Sequence, residues 1–227
     1  MKIDRALLIR TNHELSIQYS QDCIASCEKH KLPYEIVEGI QDRDCKEAFK
    51  LVGTFPQINY YNKTGHCCCH ASHIKAWKRI LEIGKPCILL EHDAIVVGDV
   101  RSIDLPEGLA VTTFGHRVSH LSQYKPIGPA KRCVNIGKTM GVHACALTPL
   151  TTEWLVNTVT KDGIGKGNDA WLMGGESGIP VFTCDPAQVV CWVRQCTTFE
   201  SRGVGDLRNT RPDDKPLPKS WYVGGGK

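Results

Sequence analysis

The chain has 227 residues, 41% hydrophobic and 23% charged, proportions of a soluble globular protein that exclude a disordered chain, a collagen and a coiled coil. That length is about one and a half typical domains, enough to bury a core without staples, and no apolar run approaches the ~18 residues that span a bilayer. The net charge of +4 is uneven: residues 1–113 carry 14 Lys+Arg against 15 Asp+Glu and residues 114–227 carry 14 against 9, so the second half suits an anionic ligand such as a nucleotide diphosphate, a phosphosugar or a nucleic acid.

The opening run Ala6-Leu7-Leu8-Ile9 reads as a buried first strand ending at Arg10-Thr11. Leu15, Tyr19, Cys23 and Cys27 follow at intervals of four, one face of a helix over 14–31 that Pro33 stops. Tyr34–Val37 is a second strand ending at Glu38-Gly39. Strand, helix and strand at these lengths form a βαβ unit, so the N-terminal half is expected to carry a parallel sheet.

Residues 40–65 are polar and mixed, and a helix is expected from about His70 to Ile83, with Ile74, Trp77, Ile80 and Leu81 on one stripe. Gly84-Lys85-Pro86 ends it. The apolar strand Cys87–Leu90 runs straight into Glu91-His92-Asp93, and Ile95-Val96-Val97 resumes it. Residues 115–140 read as one long, functional type of loop rich in Gly, Pro, Lys and Arg. Val142–Leu147 is a strand, Pro149 opens a helix over 150–160, and Asn168-Asp169 precedes a short helix. Val181-Phe182 and Val189–Val193 are the last strands, and the Pro/Gly-rich segment from Asp206 reads as a tail. The organisation expected is a single compact α/β domain over 1–205 with a tail at 206–227.

The twelve cysteines suggest disulfides only in a short secreted chain. The N-terminal MKIDRALLIR carries no long apolar stretch, so the expectation is a cytoplasmic protein with reduced thiols. The cluster His66-Cys67-Cys68-Cys69-His70 has a zinc-like composition, but three adjacent cysteines cannot all face one ion, and no second cluster lies at a suitable distance. These residues are read as small buried ones.

The acidic tripeptide carries the chemistry. Carboxylates directly after a buried parallel strand lie where α/β sheets bind ligands, and Glu91 and Asp93, at i and i+2, are spaced to bind one divalent cation and the diphosphate it neutralises. The alternative is a solvated acidic strand end. His73 shares a helix face with Trp77 and Ile80, a placement that fits a core histidine as well as a functional one.

The order Gly65, Cys69, Ser72-His73 and Trp77, then about a dozen residues to Leu89-Leu90-Glu91-His92-Asp93-Ala94, resembles the family-25 glycosyltransferases, the group of lipooligosaccharide and procollagen galactosyltransferases. Gly141–Thr148, Asp169 and Gln195–Thr198 follow in the family's order. Three positions depart from the pattern: His92 is the middle of an E-D-D triplet, Cys68 stands where a glycine is usual, and Arg10-Thr11-Asn12 replaces an N-L-x-R run. His92 is expected to point away from the metal side, leaving ligation mainly to Asp93, with Glu91 helping or contacting the ribose.

The resemblance implies a GT-A-type, Rossmann-like nucleotide-sugar transferase. It would be inverting, with Mn²⁺ or Mg²⁺ as cofactor and a UDP-sugar as donor. Its donor contacts would come from Arg10, Thr11, Gly39, Ser72, His73, Glu91 and Arg194. Asp169 is the candidate general base and Glu176 the reserve; for Asp169 the alternative is a helix-opening residue favoured by the helix dipole. The acceptor would be a glycan or lipooligosaccharide hydroxyl, or, in a phage-type enzyme, a hydroxymethylated base in DNA. A catalytically inactive nucleotide-sugar-binding module, with His92 breaking the triplet, is the reading from a different class. A zinc-structural protein is the remaining one.

Overall fold

A computed structural model describes residues 1–57, 64–118, 132–137 and 142–192. The chain opens with β1 (Arg5–Arg10), α1 (Glu14–Lys29) and β2 (Tyr34–Glu38). The helices α2 (Cys45–Leu51) and α3 (Thr64–Ile83) follow, then β3 (Cys87–Glu91) and the short β4 (Ala94–Val96). Next come β5 (Val111–Thr113), β6 (Gly115–Val118), β7 (Arg132–Asn135), β8 (Ala144–Leu147) and α4 (Pro149–Asp162). A π-helical turn, Asp169–Met173, precedes β9 (Val181–Asp185) and β10 (Val189–Trp192).

Seven strands make one mixed sheet in the order β2-β1-β3-β8-β5-β9-β7, and β4-β10-β6 make a second, smaller one. The βαβ expectation holds in its register: β1 pairs in parallel with both β2 and β3. β8 then enters antiparallel to β3, with Leu90 opposite Ala144. The strand that neighbours β3 on its far side therefore begins where β3 ends.

The apolar runs of β1 and β3 are continuous because both faces of the sheet are covered. Side chains alternate along a strand, so Leu7 and Leu89 join the core built with α2, α3 and α4, around Phe49, Trp77 and Leu155. Leu8 and Leu90 join the opposite core with Cys23 and Cys27 of α1. The four-residue spacing of Tyr19, Cys23 and Cys27 is the buried stripe of α1. Truncating a fully buried leucine such as Leu89 to alanine should cost about 2–5 kcal/mol.

Helix ends follow local chemistry. The Thr148 side chain caps α4 by accepting from the Thr151 N–H at 3.2 Å, with Pro149 in the first turn. Gly163 ends α4 at φ 73°, and a Cβ there would sit 2.5 Å from Phe55 Cε2.

Four expectations change. The segment 40–65 is not irregular throughout: Asp44 caps α2, its carboxylate accepting from Glu47 N at 2.9 Å, and α3 begins at Thr64 rather than near His70. The long 115–140 loop carries β6 and β7, because short strands that pair at a sheet edge show little periodicity of their own. The short helix after Asn168 is the π-helical turn. Finally, Cys45 and Cys67 form a disulfide joining α2 to α3, so not all thiols are reduced. The tail at 206–227 lies outside the described residues.

Candidate active site

Parallel strands β1, β2 and β3 bring their carboxyl ends to one edge, where Arg10 pairs with Glu38 and Ile9 with Glu91. The start of antiparallel β8 reaches the same edge, and Glu91 N–H donates to the His143 carbonyl at 2.9 Å. The backbone thus delivers residues from four strands to one place.

Glu91 is the hub. Its Oε1 lies 3.0 Å from His73 Nε2 and its Oε2 lies 2.7 Å from His143 Nδ1. Cys69 Sγ approaches Oε1 at 3.9 Å. Burial pushes the Glu91 carboxyl up, but the charge and hydrogen bond of His143, joined by those of His73, outweigh it. They hold the group well below the usual carboxylate range. His73 is 1% exposed, so α3 fixes its ring against the carboxylate.

Asp93 follows in the turn between β3 and β4. Its Oδ1 is buried and has no hydrogen-bond partner among the described residues. Ligand atoms of Glu91, Asp93 and His143 all lie within 4.8 Å of one another. A buried carboxylate oxygen left unpaired is costly unless a cation compensates it. Two carboxylates and one imidazole are a donor set suited to a divalent ion. His92 is turned to another neighbour, stacking on Tyr19 of α1 with ring centroids 6.1 Å apart and planes 15° off parallel.

The other candidates fall in distinct places. Arg10 and Thr11 end β1, and Thr11 N–H donates to Ser16 Oγ at 3.0 Å. Gly39 N–H donates to the Arg10 carbonyl at 2.8 Å, and a Cβ at Gly39 would meet Thr11 Cγ2 at 3.0 Å and Ser72 Oγ at 3.2 Å. The Ser72 hydroxyl accepts from Ile40 N–H at 2.8 Å and donates to the Cys68 carbonyl at 2.7 Å. Ser72 is 2% exposed, so it acts as a clamp between α3 and the loop after β2. Asp169 opens the π-helical turn, and its side chain lies outside the described residues, as does Arg194. Glu176 is exposed and pairs with Lys166 Nζ at 2.7 Å.

The three adjacent cysteines diverge: Cys67 is in the disulfide, Cys68 Sγ donates to the Arg43 carbonyl at 3.3 Å, and Cys69 faces Glu91. His70 is fully buried among Phe49, Trp77 and Trp171. Burial first, then the charge of His73, pushes its pKa down to about 3, with the Lys166 backbone opposing. His70 is therefore a neutral core residue.

Sequence reasoning missed His143 as a site residue and read Cys69, weighed in a zinc-like cluster, as a small buried one. The signal for His143 was its place at the start of the strand Val142–Leu147, but only antiparallel pairing with β3 brings a strand's start beside Glu91. Cys69 precedes His73 by four positions, one helical turn, so the two share a helix face.

The profile of glycosyltransferase family 25 (LPS biosynthesis protein) matches residues 15–104. That span holds Gly39, Cys69, Ser72, His73, Glu91 and Asp93, and it leaves out His143, Asp169 and Glu176. No curated protein sequence matches the chain. Among solved structures, a glycosyltransferase involved in the glycosylation of the major capsid of PBCV-1 is similar at 9% identity and a TM-score of 0.43, covering 88% of this chain and 97% of that one.

Proposed function

We propose that the chain, whose residues 15–104 match the profile of glycosyltransferase family 25, moves a hexose from a UDP-sugar to an acceptor hydroxyl with inversion. Glu91, Asp93 and His143 would hold a divalent cation. The observation that carries this reading is the buried, unpartnered Asp93 Oδ1 in a cluster with Glu91 and His143. The imidazole favours Mn²⁺ over Mg²⁺, which is satisfied by oxygen ligands alone. When bound, the cation supplies Lewis-acid neutralisation of the leaving diphosphate.

The protein's own part is positioning and proton transfer. His73, locked in α3, holds Glu91 Oε1 so that Oε2 stays turned toward His143. The Ser72 clamp keeps α3 and the loop after β2 at fixed separation, which sets the floor of the donor site. Arg194 is assigned to the diphosphate, whose oxygens a guanidinium binds bidentately.

Inversion is one in-line displacement. The acceptor oxygen forms its bond to the anomeric carbon as the bond to the diphosphate oxygen breaks, and the acceptor proton passes to a carboxylate on the opposite face. Glu91 and Asp93 are committed to the cation, so the base comes from elsewhere. Asp169 is the assignment. Glu176 is the reserve, and its carboxylate is already engaged by Lys166.

The acceptor is assigned as a glycan or lipooligosaccharide hydroxyl. The surplus of positive charge in residues 114–227 favours, as a second reading, a hydroxymethylated base in DNA. A screen of UDP release over several UDP-sugars with Mn²⁺, with lipooligosaccharide, peptide and hydroxymethylated-DNA acceptors, separates these. Acceptor-stimulated release identifies the acceptor, and no release with any donor points to an inactive binding module.

A further inference from the structure

Glu91 divides its two oxygens between two different groups of ligands. Oε2 faces His143 in the cluster with Asp93. Oε1 faces His73 Nε2 at 3.0 Å and Cys69 Sγ at 3.9 Å. Cys69, His73 and Glu91 thus offer sulfur, nitrogen and oxygen, all within 4.8 Å of one another. Around a tetrahedral zinc ion with ligand bonds of about 2.0–2.3 Å, ligand atoms stand roughly 3.3–3.7 Å apart. The two contacts to Glu91, at 3.0 and 3.9 Å, stand a few tenths of an ångström either side of that range, and the third separation lies within 4.8 Å, so modest side-chain shifts close the site.

We propose that Cys69, His73 and Glu91 form a second cation site, selective for a thiophilic divalent ion such as Zn²⁺, whose occupation competes with the donor-site cation for the Glu91 carboxylate. The selectivity follows from the ligands. A thiolate prefers Zn²⁺ over Mn²⁺ or Mg²⁺, while Asp93 and Glu91 present oxygen to the harder ion. The sites are connected to solvent differently from an internal structural zinc site, because Cys69 is only half-buried and a water can complete the fourth position. On binding, the Cys69 thiol releases its proton to solvent and the sulfur ligates as thiolate, while the His73 ring carries its proton on Nδ1.

The competition follows from charge. Two dications a few ångströms apart repel each other and would share the one Glu91 carboxylate, so zinc at Cys69 and His73 weakens the cation at Asp93 and His143. This part rests on the donor-site reading proposed above; the binding of zinc does not.

Titration of the full chain with Co²⁺, the spectroscopic stand-in for Zn²⁺, tests the site. The expected result is a thiolate-to-cobalt charge-transfer band in the near ultraviolet that is lost in both Cys69→Ser and Cys69→Ala and kept in Asp93→Asn. Unchanged melting and an unchanged far-ultraviolet circular dichroism spectrum in the Cys69 variants show that the fold is intact. At one equivalent of Zn²⁺ per chain, the Mn²⁺ dissociation constant of the wild type should rise at least tenfold, and that of Cys69→Ser by clearly less, through direct exchange at the donor site alone. No band, a band that survives both Cys69 substitutions, or equal zinc sensitivity in Cys69→Ser overturns the proposal. If Mn²⁺ binding is absent in every form while the cobalt band behaves as expected, the donor-site reading fails and the thiol site stands.

Discussion

His143 Nδ1 lies 2.7 Å from Glu91 Oε2, and the contact joins the start of one strand to the end of its antiparallel neighbour. Nothing in the spacing of residues 91 and 143 foretells it. The pairing of β3 with β8 produces it, since Glu91 N–H also donates to the His143 carbonyl. The histidine therefore comes to the acidic turn on rigid backbone, as a metal ligand should.

If His143 is a ligand, His143→Ala should weaken Mn²⁺ binding by about 100-fold, at the upper end of what loss of a group around a metal costs. Calorimetric titration with Mn²⁺ measures this. An affinity within a few-fold of wild type removes His143 from the ligand set.

His73 is buried and bonded to Glu91, so a substitution can act through the site or through the core. His73→Gln keeps a polar atom near Oε1. Turnover should fall ~10-fold or more, with the melting temperature shifting by only a few degrees. A large drop in melting temperature with normal turnover of the remaining folded enzyme would make His73 a packing residue.

Much of this was legible from residue order. Leu7, Leu8, Leu89 and Leu90 announced strands buried on both faces, and Glu91 and Asp93 announced a strand end rich in carboxylates. His143 was hidden because antiparallel pairing is a long-range choice that local patterns do not encode. The α2 helix was hidden because its seven residues hold only a short apolar stretch, with Phe49 fully buried against α3. The Ser72 clamp was read as a donor contact, since a Ser-His pair looks the same in sequence whether its hydroxyl faces a ligand or a backbone amide.

Asp169→Asn tests the general base. The isosteric amide keeps the shape and removes the proton acceptor, and such losses typically cost 10²–10⁴-fold in rate. Transfer should fall that far with near-normal binding of UDP-sugar and Mn²⁺. Transfer within a few-fold of wild type would move the role to Glu176.

His70 predicts a pH dependence of stability. Its folded pKa of about 3 lies below the ordinary 6.5, so between these values the unfolded chain binds the proton and the folded protein does not. The stability that neutral His70 contributes is fully present above about pH 6.5 and declines as pH falls toward 3, by up to about 1.4 kcal/mol per pH unit. Urea unfolding at pH 7 and pH 5 should show a smaller loss in His70→Gln than in wild type. Equal losses would mean that His70 takes up its proton without unfolding.

The central claim is that the buried Asp93 oxygen, with Glu91 and His143, holds the cation on which sugar transfer depends. It is tested most directly by UDP release from a UDP-sugar with Mn²⁺ or with excess EDTA, in wild type and Asp93→Asn. The account predicts Mn²⁺-stimulated release in wild type, abolished by EDTA, and at least a 100-fold loss in Asp93→Asn with the fold retained. Full release in EDTA, or wild-type release by Asp93→Asn, would contradict it.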